Sequence, residues 1–151
     1  MRTRVEAALP HQAPTIRALA AFVVADTFAG DPALQQDTIA NVNDNIDKWL
    51  AEPARCVHLI AMDASAIVGM VLVRDFWNLC NLFVHPDYQS RGVGSALLEA
   101  ACAPCAGRSP KGAIWLNAAP NAVGFYRRLG FIERPATRQL PPGAQAMLRA
   151  V

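Results

Sequence analysis

The feature that most narrows the fold of this chain is a turn carrying two glycines between a strand and a helix. Residues 79–84 form a short apolar run stopped by His85-Pro86-Asp87. Beyond it, Gln89-Ser90-Arg91-Gly92-Val93-Gly94-Ser95 opens a segment, 93–103, that sets Val93, Leu97, Ala100 and Ala101 on one helical face. Such a turn makes an anion site. The N–H groups of the first helical turn converge on one spot, the helix dipole favours negative charge there, and Gly92 and Gly94 let the backbone approach a pyrophosphate closely. A phosphate-bearing ligand is implied.

The rest of the pattern sets this turn in a mixed sheet. Residues 4–9 suit a first short strand, and 14–28 a helix with Ile16, Leu19, Ala20, Val23 and Val24 on its inner face, broken by Gly30-Asp31-Pro32. A second helix is expected to start at a cap on Asp37 or Thr38, to bury Ile39, Val42, Ile46, Trp49 and Leu50, and to stop at Pro53. Residues 56–62 and 67–73 read as a hairpin, 113–117 as a short buried strand, 121–129 as a helix closed by Gly130, and 145–151 as a last strand after a turn at Pro141-Pro142-Gly143. Strand, helix, strand, helix after an antiparallel hairpin gives an α/β fold with a parallel pair in mid-sheet. No repeat or linker divides the chain, so residues 1–151 read as one domain.

Spacing separates the phosphate loops that compete for the turn. A Walker loop needs a lysine after its last glycine, and none follows here; a dinucleotide fingerprint needs a third glycine where Leu97 stands. Gly-x-Gly alone is compatible with a purely structural turn. The longer string Leu82-Phe83-Val84-His85-Pro86-Asp87-Tyr88-Gln89-Ser90-Arg91-Gly92-Val93-Gly94 strongly resembles the coenzyme-A-binding segment of the GNAT acetyltransferase superfamily, whose loop reads Gln/Arg-x-x-Gly-x-Gly/Ala. Downstream, Ala122-Val123-Gly124-Phe125-Tyr126-Arg127-Arg128-Leu129-Gly130-Phe131 resembles that family's later helix and the entry to its next strand. The resemblance covers about residues 79–131; before Cys56 only the two-helix layout agrees.

The resemblance implies a GNAT fold, with a mixed central sheet of six to seven strands, helices on both faces and splayed parallel central strands. It implies acetyl-CoA as the cofactor and an amine as acceptor. By similarity, Leu82, Phe83 and Val84 pair with the pantetheine arm, as an added strand would. Gln89, Ser90, Arg91, Gly92, Val93, Gly94 and Ser95 hold the pyrophosphate, and Asn117, Phe125 and Arg128 are further cofactor contacts. In the direct transfer this family performs, an amine attacks the thioester, so a base, an oxyanion donor and an acid for the departing sulfur are needed. Tyr126 matches the family's tyrosine acid, and a strand N–H near residues 82–84 is the natural oxyanion donor.

The base is less defined. Where some members carry a glutamate, this chain has Asn78-Leu79-Cys80-Asn81, and an amide takes up no proton at neutral pH. Asn81 is the catalytic candidate on this strand, ordering a water or binding substrate, with Asn78 as its alternate and Asp75 and His58 as further candidates. The asparagine that many relatives place seven positions before the tyrosine is Ala119 here, and Asn121 reads as a helix N-cap.

Three function classes follow: an N-acetyltransferase, for a small-molecule amine ahead of a protein or peptide amine; a catalytically silent acyl-CoA-binding module; and a nucleotide-binding α/β protein. The acceptor is expected between about Phe22 and Trp49, with Trp49, Phe76 and Trp77 as candidate lining and Asp26, Asp31 and Asp44 as candidates to attract an ammonium. Composition sets the outer bounds. At 53% hydrophobic and 17% charged residues the chain is core-forming, and a net charge of +2 with scattered arginines gives no track for nucleic acid. Nothing approaches ~18 uninterrupted apolar residues, so no membrane partner is expected, and residues 1–9 lack a signal-peptide core, which suggests a cytoplasmic setting. Cys102 and Cys105 lie late in a helix with no second ligand pair, so they read as buried thiols and no metal is expected. A homodimer is left open.

Overall fold

The computed structural model describes residues 3–151; Met1 and Arg2 lie outside the described residues. The elements run β1 (Arg4–Ala7), α1 (Ala13–Thr27), α2 (Pro32–Ala51), β2 (Cys56–Asp63), β3 (Ala66–Arg74), β4 (Asn78–Val84), α3 (Val93–Cys105), β5 (Ala113–Ala118), α4 (Val123–Arg128), β6 (Ile132–Glu133) and β7 (Gln145–Ala150). They build one seven-stranded sheet in the order β1-β2-β3-β4-β5-β7-β6. Every neighbouring pair is antiparallel except β4 and β5 in the middle. This is the mixed α/β sheet the pattern called for.

Both faces are covered, which is why β2 and β3 are apolar on alternate and intervening positions alike. Ile60, Met62, Met70 and Leu72 pack with Ile16, Ala20, Val42, Ile46 and Trp49 of α1 and α2. Val57, Ala61, Val71 and Val73 pack on the opposite face with Leu97, Leu98 and Ala101 of α3 and with Tyr126 of α4. The two central strands share a single registered pair, Asn78 with Trp115, reinforced by the Trp115 N–H donating to the Trp77 carbonyl at 2.7 Å. Beyond it β4 and β5 diverge, so an interior strand of the sheet has an open edge.

Three local expectations change. The second helix begins at Pro32, with the Asp31 carboxylate accepting from the Leu34 N–H at 3.1 Å. Gly30-Asp31-Pro32 therefore starts this helix, because proline is favoured at the first helical position and aspartate at the cap; neither Asp37 nor Thr38 caps it. Leu50 is 37% exposed and lies outside the buried stripe. Asn121 sits in a 3-10 turn, Pro120–Ala122, and caps no helix, since α4 starts only at Val123. Cys102 and Cys105 are free and buried at the end of α3, and burial pushes the Cys105 thiol up to about 11. Among the described residues no helix is long and apolar enough to cross a membrane.

Candidate active site

The open edge of β4 fixes one wall of the site. The His85 N–H donates to the Val68 carbonyl at 2.8 Å, and Val84 is registered with Gly69, so Val84 and Leu82 occupy the non-bonded positions of the β3–β4 ladder. Their N–H and C=O groups face the gap. The backbone of Phe83 is turned toward Met70 of β3, so Phe83 contributes its side chain. Between Leu72 and Val73 the register slips, leaving Cys80 as an extra residue on β4. This bulge bends the strand at the point where it parts from β5.

The turn after β4 is held by its own side chains. The Gln89 amide donates to the Val84 carbonyl at 3.0 Å, and the Tyr88 hydroxyl donates to the Asp63 carboxylate at the end of β2. Gly92 adopts φ +82° at the N-cap of α3, a left-handed conformation that strains any side-chain-bearing residue. Gly94 is needed for a different reason. A Cβ there would stand 3.3 Å from the Phe125 ring and 3.7 Å from the Val84 side chain, inside the groove that the turn shares with α4.

Two cavities meet in the gap. The larger, about 760 Å³, runs along β4 past the turn to α4 and is lined by Leu82, Phe83, Val84, Gln89, Ser90, Gly92, Gly94, Ser95, Asn117, Phe125, Tyr126 and Arg128. The structure thus gathers the sequence-derived cofactor residues around one groove, except Arg91 and Val93. Val93 is only 3% exposed and faces the core, and Arg91 is exposed and lines neither cavity. The third wall is made by Val23, Val24, Thr27, Phe28 and Thr38 where α1 passes into α2, within the segment expected to shape the acceptor site but on the groove along β4. Only the fold brings that segment over β4. The smaller cavity, about 530 Å³, lies between α2, the start of β4, Trp115 to Asn117 of β5 and the segment after β6. Leu79, Cys80, Leu116 and Asn117 line both cavities, so the two adjoin at the fork.

Tyr126 is 8% exposed, with its ring packed edge-on against Phe125 and Phe131. Burial holds its phenol well above the ordinary range, so it stays protonated, and among the described residues nothing hydrogen-bonds its hydroxyl. Asn81 lines neither cavity. It shares a face with Leu72, is 2% exposed, and accepts from the Asn45 amide at 3.4 Å; Asn45 in turn accepts from Arg74 at 2.9 Å. His58 is buried against Trp49, its ring centroid 4.2 Å away, with both ring nitrogens unpartnered; burial lowers it to about 4, so it is neutral at pH 7 and away from the fork. Asp75 is ion-paired with Arg55 at 2.7 Å. Among the described residues no histidine lines either cavity, and the only carboxylate that does is Asp44, paired with Lys48 at 2.9 Å.

The acceptor expectations sort accordingly. Trp49 is core and Asp31 is a cap, whereas Trp77 and Asp44 do line the smaller cavity.

Residues 33–140 match the family model described as the acetyltransferase (GNAT) domain. The chain belongs to the GNAT acetyltransferase family. A curated relative, an uncharacterized N-acetyltransferase named ycf52 from Pyropia yezoensis, is 23% identical over 104 residues, 58% of this chain and 59% of its own length. The match thus spans little more than half of that relative. The same fold occurs in a GCN5-related N-acetyltransferase (aminotransferase, class-II) from Rhodopseudomonas palustris, with TM-score 0.79, 23% identity, and 100% of this chain and 97% of that one covered. It occurs also in the PaiA N-acetyltransferase from Thermoplasma acidophilum, solved in complex with coenzyme A, with TM-score 0.78, 20% identity and both chains fully covered.

Proposed function

We propose that this GNAT protein is an acetyl-CoA-dependent N-acetyltransferase that passes an acetyl group directly to a small amine. The observation that carries this reading is the fork itself: a groove with strand-edge amides and a glycine turn at one end adjoins, at Cys80 and Asn117, a second cavity. A thioester lying in the groove supplies the activated acetyl group at that junction. The groove fits such a ligand. Leu82 offers its N–H and C=O groups and Val84 its N–H to an amide-bearing arm, the first turn of α3 offers N–H groups to a diphosphate, and Gly94 keeps the space between Phe125 and Val84 clear.

In this reading the chain binds, orients and moves protons. An acceptor ammonium in the smaller cavity gives one proton to solvent before attack. As its nitrogen bonds to the acyl carbon and the carbon–sulfur bond breaks, the second proton passes to water and the sulfur takes one from the Tyr126 hydroxyl, which is then restored from solvent. The phenol lies above the usual thiol range, but the desolvation that raises it also raises a thiol buried beside it. A β4 N–H at Leu82 is the oxyanion donor. Asn81 acts from behind the strand, fixing the bulge through Asn45 and Arg74. The test has two parts: calorimetric titration with acetyl-CoA, and thiol release with an amine panel. Amine-dependent release supports the enzyme; tight binding with no release across the panel supports a silent acyl-CoA module, and NAD or ATP outcompeting coenzyme A contradicts both.

A further inference from the structure

The smaller cavity has a charge that the chain's overall balance conceals. Lys48, Arg74, Lys111, Arg134 and Arg138 line it, against Asp44 as its single carboxylate, and Asp44 is already paired with Lys48. Among the described residues, Arg74, Lys111, Arg134 and Arg138 make no ion pair. These cations come from the end of β3, the loop before β5 and the segment after β6, so no run of sequence shows them together.

Their placement is specific. The Lys111 ammonium stands 4.4 Å from the Trp77 ring centre and 4.2 Å from that of Trp115, and the Arg134 guanidinium lies 4.1 Å from the same Trp115 ring. Trp77 and Trp115 meet edge-on at 5.7 Å at the apex of the fork, where the only β4–β5 pair forms. Lys111 and Arg134 each make a cation–π contact with the Trp115 ring. Arg134 donates to the Pro135 carbonyl at 3.0 Å, while its Nε is enclosed with no partner. The unpaired cations of this cavity repel one another, and an oxyanion bound among them relieves that repulsion while accepting charge-assisted hydrogen bonds. A polyamine or any other polycation meets the opposite field.

We infer that the acceptor is a small amine that also carries an oxyanion group, a carboxylate or a phosphate, held by Lys111 and Arg134 over Trp115 so that its amine reaches the fork at Cys80 and Asn117. This rests on the acetyl-transfer reading for the fate of the amine, but the anion site stands on the cavity alone. The surplus of positive charge serves the chemistry too. Lys48, Arg74, Lys111, Arg134 and Arg138, with Asp44 as the one opposing group, disfavour the ammonium form of an amine held among them. A site with no histidine or free carboxylate can then work with a weak base.

The deciding experiment compares acceptors matched in their amine: aspartate and phosphoethanolamine as oxyanion carriers, ethanolamine as the neutral control, putrescine and spermidine as cations. Thiol release is followed in wild type and in Lys111→Met and Arg134→Met. In parallel, each amine is titrated against tryptophan fluorescence, and acetyl-CoA binding is measured by calorimetry. The expected result is a kcat/KM for one oxyanion carrier at least about tenfold above the neutral and cationic amines, falling about tenfold, through KM, in either variant. Acetyl-CoA affinity should not change in the variants. Aspartate against phosphoethanolamine separates carboxylate from phosphate. Equal or better turnover of putrescine or spermidine overturns the inference, as does the absence of any fluorescence response to either oxyanion carrier at about 10 mM. Failure of acetyl-CoA to bind removes the acetyltransferase reading instead, and the fluorescence titration then still decides on the anion site.

Discussion

Replacing Tyr126 by phenylalanine separates chemistry from stability at the position where the proposed mechanism is most exposed to test. The ring is 8% exposed and packs edge-on against Phe125 and Phe131, contacts that phenylalanine keeps. The hydroxyl has no hydrogen-bond partner among the described residues, so its removal breaks nothing and lifts part of a desolvation cost of about 1–3 kcal/mol. Y126F should melt at the wild-type temperature or slightly above, given about 2–4 °C per kcal/mol for a chain of this size. Turnover should behave differently. A positioned general acid contributes roughly 10²–10⁴-fold, about 3–5 kcal/mol of barrier, and kcat should fall by that much while the KM for acetyl-CoA holds. In wild type, the raised phenol should show no loss of activity from its own ionisation up to about pH 10. Stopped-flow thiol release and a thermal melt suffice. A kcat above half of wild type would show that the phenol is not the acid, and a markedly lower melting temperature would show that the hydroxyl holds the fold together.

Gly92→Ala carries a left-handed backbone penalty of about 1–2 kcal/mol with open space around the added methyl; a lower melting temperature and weaker coenzyme A binding by calorimetry are expected, and unchanged values would remove the need for a glycine there. His58, lowered to about 4 in the fold from 6.5 unfolded, binds its proton more readily in the unfolded chain. It therefore contributes stability above pH 6.5 that is lost as pH falls toward 4, about 2 kcal/mol of it by pH 5; His58→Leu should flatten that slope in denaturant titrations between pH 7 and pH 5, and a slope unaltered in the variant would place the effect elsewhere. Burial raises the Cys80 thiol, which keeps it protonated at the fork. Direct transfer predicts that Cys80→Ala retains most turnover and that mass spectrometry finds no acetyl group on the wild-type protein; an acetylated Cys80 would point to a two-step route.

What was legible in the sequence is what short-range chemistry dictates. The strand at residues 79–84 and the turn that ends it at His85-Pro86-Asp87 are local requirements, whereas the clearance at Gly94 depends on the Phe125 ring of α4. Other features depend on distant partners. The cap at Asp31 was hidden because proline and glycine beside it read as a break, although proline is equally at home in a first helical turn. The Cys80 bulge exists only in register with β3. The isolation of Asn81 from both cavities follows from which face of β4 it shares with Leu72, a matter of pairing and not of composition. Above all, Arg74, Lys111, Arg134 and Arg138 look scattered along a chain of net charge +2, and only the topology brings them to one cavity.

The β4 edge and the turn from Gln89 to Ser95 are the proposed seat of coenzyme A, and backbone amide resonances report on both directly. Titration of the labelled protein with acetyl-CoA should move the signals of Leu82, Val84 and the turn through Gly94 first and furthest, with Asn81 and the remote β1 strand little changed. A saturating titration that leaves the turn still, or that concentrates its shifts on another face of the sheet, would contradict that proposal.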